Sequence, residues 1–453
     1  LSPQFLWIGF RAQIVWADSR NKFDLNPPIL LNPLILNATR SPHKINEIPA
    51  PTQKIKFSSI HSKEPRITLN ESLEGVPGLF FQNPFNFSQD LRLSIRGFGM
   101  RSSFGIRGIK VLVDGVPETL PDGQTQVDSI DPGMIKNIEI IRGPSSSLYG
   151  NSSGGVLSIS TENGPEKGTR IQPRLHFGEF GMIKKQIHYG SNYRGIRYNL
   201  YASEFLWDGF RRHSKTEQSL VRGKFQILNN PRSELILTMG NFNSPRANDP
   251  GGLTETEVNL DPKKANSQNL QFDAGEKLNQ QNFGVQYMRK FSEQNIIYAT
   301  TYLICRKFMN KLPFKNGGMV NFNRYAPGAG IRWIRNGENK IPRIIFGIDS
   351  AFQDDERKRF YNMDGKRGGL VFNQRERVVS VGPYLRGEWQ SINKWNFVLG
   401  ARHDHLWFDV EDNYLIDGDQ SGDRSISEWS GSIGVIYNWN DSINTFSNIS
   451  TIF

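Results

Sequence analysis

The stretch that decides the fold runs from Leu91 to Thr161 and reads LRLSIRGFGMRSSFGIRGIKVLVDGVPETLPDGQTQVDSIDPGMIKNIEIIRGPSSSLYGNSSGGVLSIST. Its apolar runs alternate with period two: Leu91, Leu93 and Ile95 share a face, as do Val111 and Val113, and Ile138 and Ile140. Each run stops at glycine, in Arg96-Gly97, Asp114-Gly115, Asp122-Gly123, Arg142-Gly143-Pro144 and Gly154-Gly155. Gly reaches φ > 0 without strain and Asp bonds its own turn backbone, so these steps mark sharp reversals. The stretch predicts a compact, loop-rich α+β unit of short mixed strands.

Working outward, Ile67 to Leu79 carries Leu69, Leu73 and Val76 at helical spacing and predicts one short helix stopped by Pro77-Gly78. Phe80 to Asp90, Met100 to Gly108 and Val116 to Gln126 read as loops. From Arg170 onward the text changes to strands of about eight to fourteen residues with alternating polarity. They are separated by turns such as Asn229–Arg232 and Ser292–Asn295, and by long polar loops at Ser244–Lys277, Lys307–Tyr325, Gln353–Asn373 and Glu411–Arg424. Alternating short and long connections are what an up-and-down barrel requires, and about thirteen strands can be counted.

Composition narrows the class. The mean hydropathy of −0.50 and the lack of any long uninterrupted apolar run exclude a helical membrane bundle. They do not exclude a β-barrel, whose lipid-facing and lumen-facing residues average out as polar. Cys305 is the single cysteine, so no intrachain disulfide forms. His403 and His405 share one side of a strand, where a barrel-wall position is the favoured reading over a metal pair. The net charge of +11 is dispersed, which argues against a nucleic-acid-binding module and suits attraction of anionic cargo or lipid headgroups. No nucleophile elbow, recognisable pair of catalytic carboxylates or phosphate loop stands out. Leu1 to Ala17 is apolar and aromatic, a poor match to a signal-peptide remnant, and Asn21 to Asn32 is an extended tether rich in Asn and Pro.

Four phrases occur in order: L-x-I-R-G-F at Leu93–Phe98, V-L-V-D-G-V-P at Val111–Pro117, I-E-I-x-R-G-P-x-S-x-L-Y-G at Ile138–Gly150, and G-G-V-x-x-I-x-T at Gly154–Thr161. In these the chain resembles the plug domain of TonB-dependent outer-membrane receptors. The resemblance implies an N-terminal α+β plug followed by a partial transmembrane antiparallel up-and-down β-barrel. About thirteen of an expected twenty-two or so strands are present, which leaves about nine to be supplied. The implied division is a signal remnant, tether and box-like segment at residues 1–40, a plug at 41–165 and an incomplete barrel at 166–453.

The resemblance also implies roles. Pro33, Leu34, Ile35, Leu36, Asn37 and Ala38 match the short apolar box that a TonB-type energy-transducing protein of the periplasm captures by β-augmentation, which needs an extended, accessible strand. The plug loops rise towards the outer face, making Arg101, Ser103, Phe104, Asp122 and Gln124 candidate ligand contacts, with Phe81 and Phe85 behind them. Arg supplies a planar fork for carboxylates and aromatics supply stacking area, which suits an anionic, ring-containing cargo. Arg96, Glu139 and Arg142 are expected at strand ends as a lock between plug and barrel wall. The implied function is active uptake of a scarce anionic nutrient across the bacterial outer membrane, an iron-siderophore by default, without bond chemistry, cofactor or resident metal. The expected partners are the energy-transducing protein, outer-membrane lipid and a small nutrient or metal chelate, with no nucleic acid. A vitamin or quinone-type cofactor is the alternative cargo, and a ligand-sensing signalling receptor the alternative role.

Overall fold

The structure, a computed structural model, describes residues 7–11, 34–57, 65–99, 102, 105–337, 341–392, 394–440 and 443–451. Pro33, Arg101, Ser103 and Phe104 lie outside the described residues.

The glycine-punctuated stretch folds into a five-stranded sheet in the order Thr52–Lys56, Ile135–Arg142, Gly155–Thr161, Ile109–Val113, Val116–Pro117. Gly155–Thr161 and Ile109–Val113 pair in parallel, and the remaining neighbours are antiparallel. Asp114 and Gly115 make the tight reversal between the last two strands, both with positive φ (49° and 75°), the conformation that an Asp-Gly hairpin turn supplies. The period-two faces are both covered. Ile109, Val111, Val113, Ile138, Ile140, Leu157 and Ile159 are fully buried in one cluster. Leu112, Ile141 and Val156 pack on the other face with Leu148, Tyr149 and the barrel residues Ile334, Ile345 and Tyr384. Each such aliphatic side chain contributes about 1.5–3 kcal/mol.

Two local expectations are corrected. The helix expected over Ile67–Leu79 is only a 3-10 turn at Leu69–Ser72, capped by Thr68 and Glu71. Leu69, Leu73 and Val76 are buried as their spacing suggests, but Gly75 takes φ 81° and ends the helical path. The loop expected at Phe80–Asp90 begins with a strand, Leu79–Gln82, which pairs with Arg92–Ile95 and sets Phe81 opposite Leu93.

Thirteen antiparallel strands follow without crossover, from Thr169–Gly178 to Asn444–Ser450, and Trp7–Arg11 adds one more against the last of them. Among the described residues the two edges of this sheet do not pair, so the barrel is not closed. The charged segment Gln353–Asn373 is not a loop. The strands Arg343–Met363 and Lys366–Ile392 continue through it to a two-residue Asp364-Gly365 turn, with φ 50° and 84°. Cross-strand pairs hold this arm together, Arg375 with Asp354 and Arg357 with Glu376, so its charges stabilise a sheet that rises beyond the wall.

Along the wall the side chains are inverted relative to a water-soluble sheet. Leu175, Ile187, Leu200, Val221, Phe346, Leu385 and Ile433 face outward and exposed, whereas Lys184, Gln186, His188, Asn199, Arg222, Arg306, Arg386 and Arg402 are buried inward. Trp395, Tyr437 and Trp439 meet in tilted and edge-on contacts near the tight-turn end, and Trp407 and Trp429 face out further along the strands. An apolar band with aromatic girdles around a polar interior is the pattern of a wall that meets hydrocarbon.

Candidate functional site

The segment just before the plug is held in place by several side chains. Ile35–Leu36 pairs with His43–Lys44 in a two-residue ladder, and Leu36 and Ala38 are buried at 1% and 2% exposure. The segment's backbone groups are engaged by plug side chains. Glu139 Oε2 accepts hydrogen bonds from Asn37 N (2.7 Å) and Ala38 N (2.9 Å), and Lys54 Nζ donates to Ile35 O (2.7 Å). Lys54 also pairs with Glu139 Oε1 at 2.6 Å, and the Tyr149 hydroxyl donates to Ala38 O at 2.9 Å. Two neighbouring strands set this clasp, since Lys54 and Glu139 face each other across the register of Thr52–Lys56 and Ile135–Arg142.

The next residues tie the segment to the barrel. Arg40 forks onto Asp349 at 3.0 and 2.6 Å and donates to Leu148 O, with its guanidinium 4.1 Å from the centre of the Tyr149 ring. His43 Nδ1 meets Thr39 Oγ1 at 2.7 Å and its Nε2 meets Glu388 Oε2 at 2.7 Å. Both contacts are buried.

Glu139 therefore sits in mid-strand, not at a strand end, and the groups it holds belong to the plug and its leading segment rather than to the wall. Arg142 Nη1 donates to Pro77 O, and Arg96 turns the chain at φ 52° with its N–H on Gly78 O. Other ion pairs bridge plug and wall. Asp114 accepts from Lys224 (2.8 Å) and lies 3.5 Å from Arg222. Burial alone would raise its carboxyl, but the two cations outweigh burial and hold it at about 2. Asp131 accepts from Lys184, Tyr201 and Ser203, and Asp128 pairs with Arg306 at 2.7 Å. Glu118 is held by the amides of Gln280 and Asn282, and burial pushes its carboxyl up. The D-G signal at Asp114 was legible as a turn; its second use as an anchor shows only once the wall is in place.

The candidate ligand patch is only partly assembled. Asp122 and Gln124 stand together, with Gln124 N donating to Asp122 Oδ1 at 2.8 Å and Gln353 of the wall 3.4 Å from Asp122 Oδ2. Phe85 is 53% exposed and meets Trp207 edge-on at 6.2 Å. Phe81 instead packs against the plug core. Sequence reading missed the neighbours that make an aromatic cluster here, Phe87 with Phe205 and Trp207 at 5.3 and 5.9 Å, because they come from segments over a hundred residues apart. His403 and His405 face outward beside Trp429 and Trp407.

A plug sheet seated against a polar-lined strand wall, with a clasped segment before it, defines a plugged partial barrel. Residues 44–156 match the TonB-dependent receptor plug domain, and residues 186–453 match the TonB-dependent receptor-like β-barrel. The second match alone covers more than half of the chain, which therefore belongs to the TonB-dependent receptor family. It is 28% identical over 147 residues to a hemin receptor of Yersinia enterocolitica, covering 32% of this chain and 20% of that protein. Among solved structures it resembles the unliganded ferric citrate transporter FecA (TM-score 0.77, 18% identity), over 90% of this chain and 63% of that one. It likewise resembles the ferric yersiniabactin uptake receptor FyuA of Yersinia pestis (TM-score 0.73, 14% identity), over 88% of this chain and 64% of that one. The chain thus spans less than two thirds of these relatives' length.

Proposed function

We propose that this chain serves in TonB-dependent active uptake of a scarce anionic nutrient, an iron chelate of the siderophore class, across the bacterial outer membrane. The observation that carries this reading is the clasped segment Leu34–Ala38. It holds the two-residue strand Ile35–Leu36 and the start of the turn after it, with backbone groups of Ile35, Asn37 and Ala38 held by side chains, and once released from them this backbone is free to pair with a partner strand. Three relatives support the cargo class by name, as hemin, ferric citrate and ferric yersiniabactin proteins. The inward cations of the wall suit an anion, and the outward apolar band suits the outer membrane. In this reading a cargo engages the outer patch around Asp122, Gln124 and Phe85. The TonB-type protein then pairs with Leu34–Ala38, and the pull is transmitted through Arg40 and Glu139 to the plug sheet. The reaction is translocation, with no bond made or broken in the cargo.

The test is accumulation of radioactive iron, supplied as a panel of siderophore chelates, by cells carrying this protein with and without an intact energy-transducing partner. Uptake that needs the partner is expected. Uptake that is equal in its absence overturns the proposal.

A further inference from the structure

Between the plug and the wall lies a cavity of about 480 Å³, within the size range of sites for small organic molecules. Its plug side carries Arg40, Lys110 and Tyr149, and its wall side carries Tyr298, Arg332, Tyr384 and Arg402. The charges do not cancel here. Asp349 is shared by Arg40 and Arg402, and Asp404 is engaged by Arg402. The side chains of Lys110 and Arg332 make neither a hydrogen bond nor an ion pair with any described residue, although both residues pair through their backbones. Four cations thus face two carboxylates at this end of the cavity. Of the other lining acids, Asp114 is paired with Lys224, and Glu234 accepts only from the neutral Gln226, so its charge stays four strands along the wall from Asp349.

Two further features point to a ligand. The Tyr384 hydroxyl is buried without a hydrogen-bond partner, on a residue only 2% exposed, and the Nε atoms of Arg40 and Arg332 are also unsatisfied. Leaving such groups unpaired is costly, and an acceptor in the cavity would satisfy them. The cations also stack on rings, Arg332 over Tyr298 at 4.2 Å and Arg40 over Tyr384 at 4.8 Å, which fixes their planes and presents their edges.

We propose that this cavity is an interior binding site for small polyanions, a carboxylate- or phenolate-bearing molecule held by Lys110, Arg332, Arg40 and Tyr384. The binding claim stands on the cavity alone; its place as a station on the cargo's path past the plug rests on the uptake reading. Burial lowers the Lys110 ammonium to about 8, against the pull of Asp349, so it stays mostly charged at neutral pH and the site is set to hold anions there.

The experiment is titration calorimetry of the full chain, folded in detergent micelles, with trimesate, an aromatic ring bearing three carboxylates. Binding is expected, weakened about tenfold or more by Lys110→Met and by Arg332→Met, since each removes one charge-assisted contact. Lys110→Arg should keep most of the affinity, which separates lost charge from lost packing. No binding by the unaltered chain, or affinity unmoved by both methionine variants, overturns the site. Weakening by Gln124→Ala or Phe85→Ala alone would place the anion on the outer face, overturning the interior site while leaving the uptake reading intact. Uptake without need of the energy-transducing partner, with trimesate binding still sensitive to Lys110, would remove the uptake reading and leave the site.

Discussion

Glu139→Ala is the substitution whose effect follows most directly from the structure. The carboxylate is 2% exposed and holds two backbone N–H groups of the leader segment together with Lys54 Nζ. Removing it leaves the amides of Asn37 and Ala38 without their acceptor and Lys54, whose side chain is 12% exposed, without its counter-charge. Breaking one side of a buried ion pair costs about 3–5 kcal/mol, and that cost falls on the docked segment because undocking lets water reach Lys54. The plug sheet keeps its backbone ladder on both sides of residue 139, so the loss should be local. At about 1.4 kcal/mol per factor of ten, the undocked population should rise by two to more than three powers of ten. Hydrogen exchange of peptides covering residues 34–44, read by mass spectrometry, measures this, with peptides covering Ile109–Val113 as the internal control. Faster exchange of the leader with the control unchanged is expected. Equal protection in both proteins would refute the clasp.

Leu36→Pro removes an N–H from the Ile35–Leu36 strand and should abolish energised uptake while cargo binding to cells persists; unchanged uptake would remove the partner-binding role of this segment. Asp114→Asn should destabilise the plug by about 3–5 kcal/mol near neutral pH, because Lys224 and Arg222 lose their counter-charge. The folded carboxyl at about 2 lies below its ordinary value of 3.8, so its contribution is present above 3.8 and lost as pH falls towards 2; denaturant unfolding at pH 7 and pH 2.5 should show the variant's deficit shrinking. Asp90 is shifted the other way, to about 7, by burial and then by the nearby Asp128. Plug stability should therefore fall as pH rises from about 4 through 7, and Asp90→Asn should flatten that fall when unfolding is compared at pH 5 and pH 8.

Local signals decided most of the fold. The Asp-Gly turn at residues 114–115, the period-two faces of Val111 and Ile138, and the run of thirteen antiparallel strands each depend on neighbours in the chain, and each is found as read. The failures have a common cause. Asp364-Gly365 carries the same hairpin signal, but it lay in a charged text that read as loop because the arm's charges are satisfied across strands. Phe81 looked like an exposed aromatic until its pairing opposite Leu93 turned it into the core. For the site, the resemblance pointed to Pro33–Ala38 but could not show that Glu139, a hundred residues on, holds Asn37 and Ala38. The Arg40–Asp349 pair spans 309 residues and has no sequence signal at all.

The central claim is that Leu34–Ala38 is exchanged from the Lys54–Glu139 clasp to a partner strand. The direct measurement is disulfide trapping in cells, with Asn37→Cys in a Cys305→Ser background against single cysteines along the edge strand of the energy-transducing partner. Crosslinks in one strand register, enhanced by cargo and by Glu139→Ala, are the expected result. Crosslinking that is absent, or that is no stronger from Asn37→Cys than from Thr52→Cys on the plug sheet, would contradict it.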